Sequence, residues 1–392
     1  MARVIGTEAV EDGWRRGRTV LEVLPGDIVT EMARETAVRL GVRLADGPVE
    51  RPVPVRTDGV TAMRRSLYRR SARWVAPART VQPRARRFSR LAIIGAGGVG
   101  SNIAHLAANA DIGDEIVLVD IVRGVAAATA LDLNHAAGMT GTGARCLGGE
   151  DPGLISGADV VVVTAGRARM PGMDRAELID VNRRTVHAAA EAIRTQAPRA
   201  VVIVVTNPLD EMTLEMLRAT GFPRERVLGM AGTLDSSRFR AALAMAAGVA
   251  PADVDAIALG SHGDEMAPIL SLARIKGHPL SKFLTDDRIE ACVRDAVTGG
   301  GQILALRRSG SATVAPAHAT VEVLDHIRGA RAGPVPVSVM LAGEYGIDGV
   351  VLGVPAHVGP TGLVEVEILQ LTKAERAALV SAAEAVRARL SR

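Results

Sequence analysis

Thirty residues constrain this chain more than any others: Leu91 to Asp120, LAIIGAGGVGSNIAHLAANADIGDEIVLVD. Leu91–Ile94 is a short apolar run of buried-strand type, and it leads directly into Gly95-Ala96-Gly97-Gly98-Val99-Gly100. A second apolar run, Ile116–Val119, ends at Asp120, twenty residues past Gly100. Glycine is needed at the first position for a tight turn, at Gly97 for close backbone approach to a pyrophosphate, and at Gly100 for close packing of helix on strand. The helix that follows points free N–H groups and the positive end of its dipole at the phosphates. This is the pattern of a dinucleotide-binding strand–helix–strand unit. A carboxylate at Asp120 can take both ribose hydroxyls and would repel a 2′-phosphate, so NAD is expected rather than NADP.

With 392 residues, 48% of them hydrophobic, the chain can bury a large core. Cys146 and Cys292 are its only cysteines and are far apart. That excludes a disulfide framework or a cysteine zinc site, and no metal site is expected. No apolar run is long enough to span a membrane and the N-terminus lacks a signal-peptide core, so the expected location is the cytoplasm. The formal charge of +4 has to be located before it means anything. Between Asp46 and Arg90 twelve arginines face three acids, which leaves the rest of the chain net acidic. The basic balance therefore reports a connector, and no basic stripe interleaved with aromatics marks a nucleic-acid surface.

Residues 1–47 read as a small N-terminal extension. Thr7–Arg16 fits one or two helical turns, Thr19–Leu24 alternates as a strand, and Asp27–Leu40 is amphipathic. Its apolar face would be Ile28, Val29, Met32, Ala33, Thr36, Ala37 and Leu40, with Gly41 as terminator. Residues 48–88, with Pro48, Pro52, Pro54, Pro77 and Pro83 among the arginines, read as a linker. From Ser89, buried strands alternate with helices at Val125–Ala137 and Asp174–Gln196, and the apolar strand Ala200–Val205 opens into Thr206-Asn207-Pro208. The expected class is α/β: a Rossmann-type doubly wound parallel sheet over 89–233, with ligands at its C-terminal strand ends near Gly166, Asn182 and Asn207. Past Gly232 come helices Asp235–Ala247, Asp286–Leu306 and Thr313–Ile327 and strands Ala256–Leu259, Val335–Leu341, Gly349–Val354 and Leu363–Leu369. These predict an α+β catalytic domain over 234–392, with Thr372-x-x-Glu375 as the capping box of a last helix.

Four stretches carry chemistry. Ala165–Arg175, AGRARMPGMDR, is a loop in which Arg169 and Arg175 can fold onto one small anion, though two solvated surface arginines would fit the loop equally well. Thr206-Asn207-Pro208 puts an amide at a strand end. In Leu234–Phe239, Asp235 and Arg238 lie three apart and share a helix face. Gly260-Ser261-His262-Gly263-Asp264 holds a histidine between glycines after an apolar strand. Together these resemble the malate dehydrogenases of the lactate-dehydrogenase-like branch, over Ser89–Arg392.

The resemblance implies NAD as cofactor and malate with oxaloacetate as substrates, and it implies roles. His262 would be the proton-transfer group and Asp235 its partner, fixing the tautomer and stabilising the imidazolium. Arg238 would hold the C1 carboxylate as a fork, Arg175 would polarise the substrate oxygen, and Arg169 would pair the second carboxylate. Asn207 would contact both nicotinamide and substrate. Gly95, Gly97, Gly98, Val99, Gly100, Asp120, Asn182, Val205 and Thr206 complete the cofactor set. His105, His135, His187, His278, His318, His326 and His357 are read as structural. Gly98 departs from the asparagine common in the family. A homodimer or homotetramer is the family's usual assembly.

The extension resembles the N-terminal segment of the ethanolamine-utilisation protein EutQ, through Ile28, Thr30, Ala33, Arg34, Glu35, Ala37, Leu40 and Gly41. It implies a microcompartment shell or core protein as a partner of residues 1–47, and a cytoplasmic enzyme housed in such a compartment. Two alternatives remain: a dehydrogenase of another 2-hydroxy acid such as lactate, against which Arg169 argues, and a scaffold that kept a dehydrogenase body, against which the intact His262, Asp235 and Arg238 argue.

Overall fold

The computed structural model describes residues 3–15, 20–46, 85–168, 175–263, 265–308 and 310–390. The chain divides into two compact units, Met1–Ala78 and Arg79–Arg392. Nearly all of the basic connector at 48–88 lies outside the described residues.

The first unit runs β1 (Val4–Ile5), α1 (Thr7–Arg15), β2 (Val20–Val23), β3 (Ile28–Val29), α2 (Glu31–Leu40) and β4 (Arg43–Asp46). β1 pairs with β3 and β2 with β4, both in parallel, so two strand–helix–strand halves run side by side in the same order. The helix expected from Asp27 begins later, because the β-branched pair Ile28-Val29 is taken into β3. Thr30 then caps α2, its Oγ1 accepting from the Ala33 N–H at 3.2 Å, and Gly41 ends it at φ 66°. The expected apolar face is divided. Ala33, Thr36 and Ala37 are buried, the two alanines in a small core with Ile5, Val10 and Val42. Ile28 and Met32 remain 58% and 66% exposed.

The second unit is built on one sheet of eleven strands. Its parallel part, in spatial order, is β7 (Arg145–Gly149), β6 (Gly113–Val119), β5 (Phe88–Ile94), β8 (Val160–Val163), β9 (Val201–Val204) and β10 (Val227–Gly229). The sheet then continues antiparallel through β16 (Val335–Ala342), β17 (Asp348–Gly359), β12 (Ala258–Gly260) and β13 (Met266–Pro268), with β18 (Gly362–Val366) on β17. A separate small sheet joins β11 (Val254–Asp255), β14 (Arg274–Ile275) and β15 (His278–Pro279).

The parallel strands are apolar on both faces because each face carries a helix layer. Leu91, Ile93, Ile116 and Leu118 enter one core, while their alternates Ala92, Val117 and Val119 enter the other. The helices are α3 (Gly98–Asn109), α4 (Val125–Thr140), α5 (Arg175–Gln196), α6 (Leu209–Thr220), α7 (Gly232–Ala247), α8 (Asp286–Arg307), α9 (Val314–Ile327) and α10 (Lys373–Leu390). α6, β7 and β10 have no counterpart in the sequence reading, and the last strand stops at Val366 rather than Leu369. The capping box forms: Glu375 N–H donates to Thr372 Oγ1 at 3.2 Å and Thr372 N–H donates to Glu375 Oε2 at 2.9 Å. Among the described residues no helix is long and apolar enough to cross a membrane.

Candidate active site

The glycine loop sits between β5 and α3, where the sequence puts it. Gly95 has φ 104°, and a Cβ on Gly100 would collide with the Gly95 carbonyl oxygen, so turn and helix can approach only through glycine. A Cβ on Gly97 would meet nothing, which leaves open space over the N-terminus of α3 where a pyrophosphate can come close. Gly98 has a different cause: a Cβ there would lie 2.7 Å from Thr313 Cγ2, so its absence makes room for a residue at the start of α9. Asp120 ends β6 with its carboxylate turned back on the loop. It accepts from the Ala96 N–H at 2.7 Å and from the Val122 N–H at 2.9 Å. A glycine cradle open at Gly97 and a carboxylate beside it fit an adenine dinucleotide.

At the C-terminal ends of β8 and β9 a second group of residues is gathered. Thr206 Oγ1 donates to Ala165 O at 2.7 Å. Asn182, fully buried on α5, accepts from the Arg167 N–H at 2.7 Å and donates to Arg167 O at 3.0 Å and to Asn207 O at 2.6 Å. Its amide is thus engaged with backbone, and it shapes the site by holding Arg167 and Asn207. Asn207 itself is exposed, and its peptide bond to Pro208 is cis. Val205 is buried, and Val99 packs against the same core. Arg169 lies outside the described residues; Arg175 opens α5, with its side chain likewise outside.

The acid–base group assembles from two distant segments. Asp235, 4% exposed in its side chain, stands in the first turn of α7. One carboxylate oxygen, Oδ2, is 2.8 Å from His262 Nδ1, and the other, Oδ1, accepts from Arg238 Nη1 at 3.2 Å. With a carboxylate as its neighbour, Nδ1 is the donor, so proton exchange falls to Nε2. Arg238 lies along α8 where Gly299 and Gly300 stand, its Nη2 3.4 Å from where a Gly300 Cβ would be.

Burial disfavours the His262 imidazolium, but the charge and hydrogen bond of Asp235 outweigh it even against Arg238, and the pKa is held above the ordinary histidine value.

Sequence reasoning missed the support under this group. Asp210, fully buried at the start of α6, accepts from His262 N–H, Ser261 Oγ and Ser338 Oγ, each at 2.8 Å. Burial, and next the Glu211 charge, push its carboxyl above the usual range against those three bonds. The signal was present in the sequence: two adjacent acids, Asp210 and Glu211, one residue after Asn207-Pro208 and at the head of a helical run.

Two family models match the chain. Residues 89–229 match the lactate/malate dehydrogenase NAD-binding domain, and residues 232–392 the lactate/malate dehydrogenase alpha/beta C-terminal domain. Malate dehydrogenase 1 of Anaeromyxobacter dehalogenans is 42% identical over 300 residues, covering 76% of this chain and 96% of that protein. The malate dehydrogenase of Trichormus variabilis is 43% identical over 306 residues, covering 78% and 94%. Among solved structures, Cryptosporidium parvum malate dehydrogenase superposes with a TM-score of 0.75 at 37% identity, over 78% of this chain and 98% of that one. The lactate dehydrogenase of the same organism, complexed with lactic acid and NAD, gives 0.75 at 35% identity and the same coverage.

The Asp235–His262 pair has a pH signature. A folded pKa above the unfolded one means stability that is complete below the unfolded value and lost as pH rises through the folded value. Asp235→Asn should therefore cost about 1–3 kcal/mol more at mildly acidic pH than at alkaline pH, where the bond to Arg238 is lost but no imidazolium is present. It should also move the His262 imidazole titration, followed by NMR, to lower pH. Equal destabilisation at both pH values would contradict the ion pair.

Proposed function

The chain belongs to the lactate/malate dehydrogenase family, and on that premise we infer that it is an NAD-dependent malate dehydrogenase, interconverting malate and oxaloacetate. The observation that carries the chemistry is one carboxylate, Asp235, joined to both His262 and Arg238. NAD supplies the hydride acceptor in the oxidising direction. His262 takes the hydroxyl proton at Nε2 as hydride leaves the substrate carbon, and Asp235 stabilises the imidazolium that forms. Arg238 holds the C1 carboxylate and Arg175 polarises the carbonyl oxygen in the reverse reaction. Gly95, Gly97, Gly98, Val99, Gly100 and Asp120 are assigned to the dinucleotide, with Val205, Thr206 and Asn207 toward the nicotinamide and Asn182 keeping Asn207 in place.

Substrate choice is assigned to Arg169. Both lactate and malate enzymes share this fold, so the fold cannot separate them. A dicarboxylate pairs Arg169, whereas a monocarboxylate would leave it desolvated and unpaired, at roughly 2–5 kcal/mol. NADH oxidation should be fast with oxaloacetate and slow with pyruvate or 2-oxoisocaproate. Arg169→Gln should cut kcat/KM for oxaloacetate by about two to three orders of magnitude while pyruvate turnover stays level or rises. Equal loss on both substrates would remove the dicarboxylate reading, and faster turnover of pyruvate by the unmutated chain would favour the lactate alternative.

We further propose a homo-oligomer. On α4 only Ala126 and Ala130 are buried, while Leu131 and Met139 are exposed and Ile121 and Val122 just ahead of the helix are exposed as well. An apolar face of this kind on a folded domain is suited to a second copy of the chain. Light scattering should give a mass of two or four chains. Leu131→Glu with Met139→Glu should lower it, and a monomeric unmutated chain would end the proposal.

For residues 1–47 we propose docking to a microcompartment protein. The support is the exposed set Val4, Ile28 and Met32, in which Val4 and Ile28 are register partners across β1 and β3. The full chain carrying a fluorescent tag should gather in compartments when expressed in cells that build them, and Ile28→Asp with Met32→Asp should leave it diffuse. A diffuse unmutated chain, or charged variants that gather equally well, would exclude this route.

A further inference from the structure

The histidine loop is tied to the far end of the chain through a buried charge cluster. α6 opens with two adjacent carboxylates, Asp210 and Glu211, both fully buried. Arg389, one residue before the end of α10, reaches into this region with its side chain only 16% exposed. Its Nε donates to Glu211 Oε1 at 2.5 Å, its Nη1 to Glu265 Oε1 at 2.8 Å, and its Nη2 to Ser261 Oγ at 2.9 Å. A single guanidinium therefore holds α6 and both flanks of His262.

The donor directions make this more than an ion pair. A guanidinium only donates, so Ser261 Oγ must accept from Arg389 and turn its own proton to Asp210 Oδ2. The same Asp210 oxygen accepts the His262 backbone N–H. The order is Arg389 to Ser261 to Asp210, with the backbone of His262 fixed at the end. The two buried acids repel each other, and burial of such a pair without a cation is costly. The guanidinium offsets part of that charge and sets the hydroxyl.

We propose that Arg389 is a positioning residue for His262, acting through Ser261 and Asp210; this rests on the reading of His262 as the proton-transfer group. Lysine cannot reproduce the three-way fork, although it keeps the charge. Loss of the cation alone leaves the buried Glu211 charge uncompensated by Arg389, whereas loss of cation and anion together also removes the charge that repels Asp210.

The test uses the full chain as Arg389→Met, Arg389→Lys, Glu211→Gln and Glu211→Gln/Arg389→Met. Arg389→Met should lower kcat for oxaloacetate reduction about tenfold or more, with a smaller change in NADH affinity, since the glycine loop that takes the pyrophosphate is elsewhere. Arg389→Lys should fall between it and the unmutated chain. The double variant should recover part of the loss, because the Glu211 charge beside Asp210 is gone while Ser261 still lacks its donor, and a generally weakened fold would show no recovery. A second readout needs no substrate: the downfield Nδ1–H proton of the Asp235–His262 hydrogen bond should be sharp in the unmutated chain, broadened in Arg389→Met and sharper again in the double variant. An unchanged kcat and resonance in Arg389→Met, or a double variant no better than the single, overturns the proposal. Should Arg389→Met not fold, Arg389→Lys decides, since unmutated kcat and line shape there would equally overturn it. Failure of the unmutated chain to reduce oxaloacetate would fault the assigned substrate, and the proton resonance would still decide the role of Arg389.

Discussion

The carboxylate of Asp210 lies at the seam of the sheet, and much of the molecule is arranged to keep it there. Ser338, one of its donors, is on β16 at the residue opposite Gly229, where the parallel strands give way to antiparallel ones. Its other two donors belong to the loop after β12. A buried carboxylate accepting three hydrogen bonds has little freedom to shift, because each lost bond would leave a polar group dry. His262 inherits its backbone position from that constraint and its ring orientation from Asp235. The two acids divide the work: one fixes where the imidazole is, the other which nitrogen carries the proton.

Much of this was legible in the sequence, for physical reasons that differ from residue to residue. The glycine loop and Asp120 are local, since strand, turn and helix follow one another and every spacing is set by backbone geometry. Asp235 and Arg238 were readable because three residues bring side chains to one face of a helix. The union of His262 with Asp235 could be read only through resemblance, as no local rule joins residues 27 apart. α6 is hidden because Asp210, Glu211 and Glu215 are buried and break the usual polar-outside pattern of a helix, and β7 and β10 because short strands holding glycine carry little periodicity. Arg389, 178 residues from Glu211, gave no sign at all.

In the first unit the amphipathic pattern from Asp27 to Leu40 predicts one helix face, yet the β-branched residues near its start pair with Val4 and Ile5. The alanines of α2 then fill a core of the unit's own, and Ile28 and Met32 are left facing out. Hydrophobic period alone does not say whether a stripe meets its own chain or another surface.

The contact between Gly98 and Thr313 joins a residue of the cofactor loop to one more than two hundred positions later. Position 98 is not free to vary alone. A side chain can be acquired at 98 only after 313 has shrunk or turned away, so the order of substitutions decides which are tolerated. A chimaera that set a first half bearing a side chain at 98 against this second half would meet Thr313 before any question of catalysis arose.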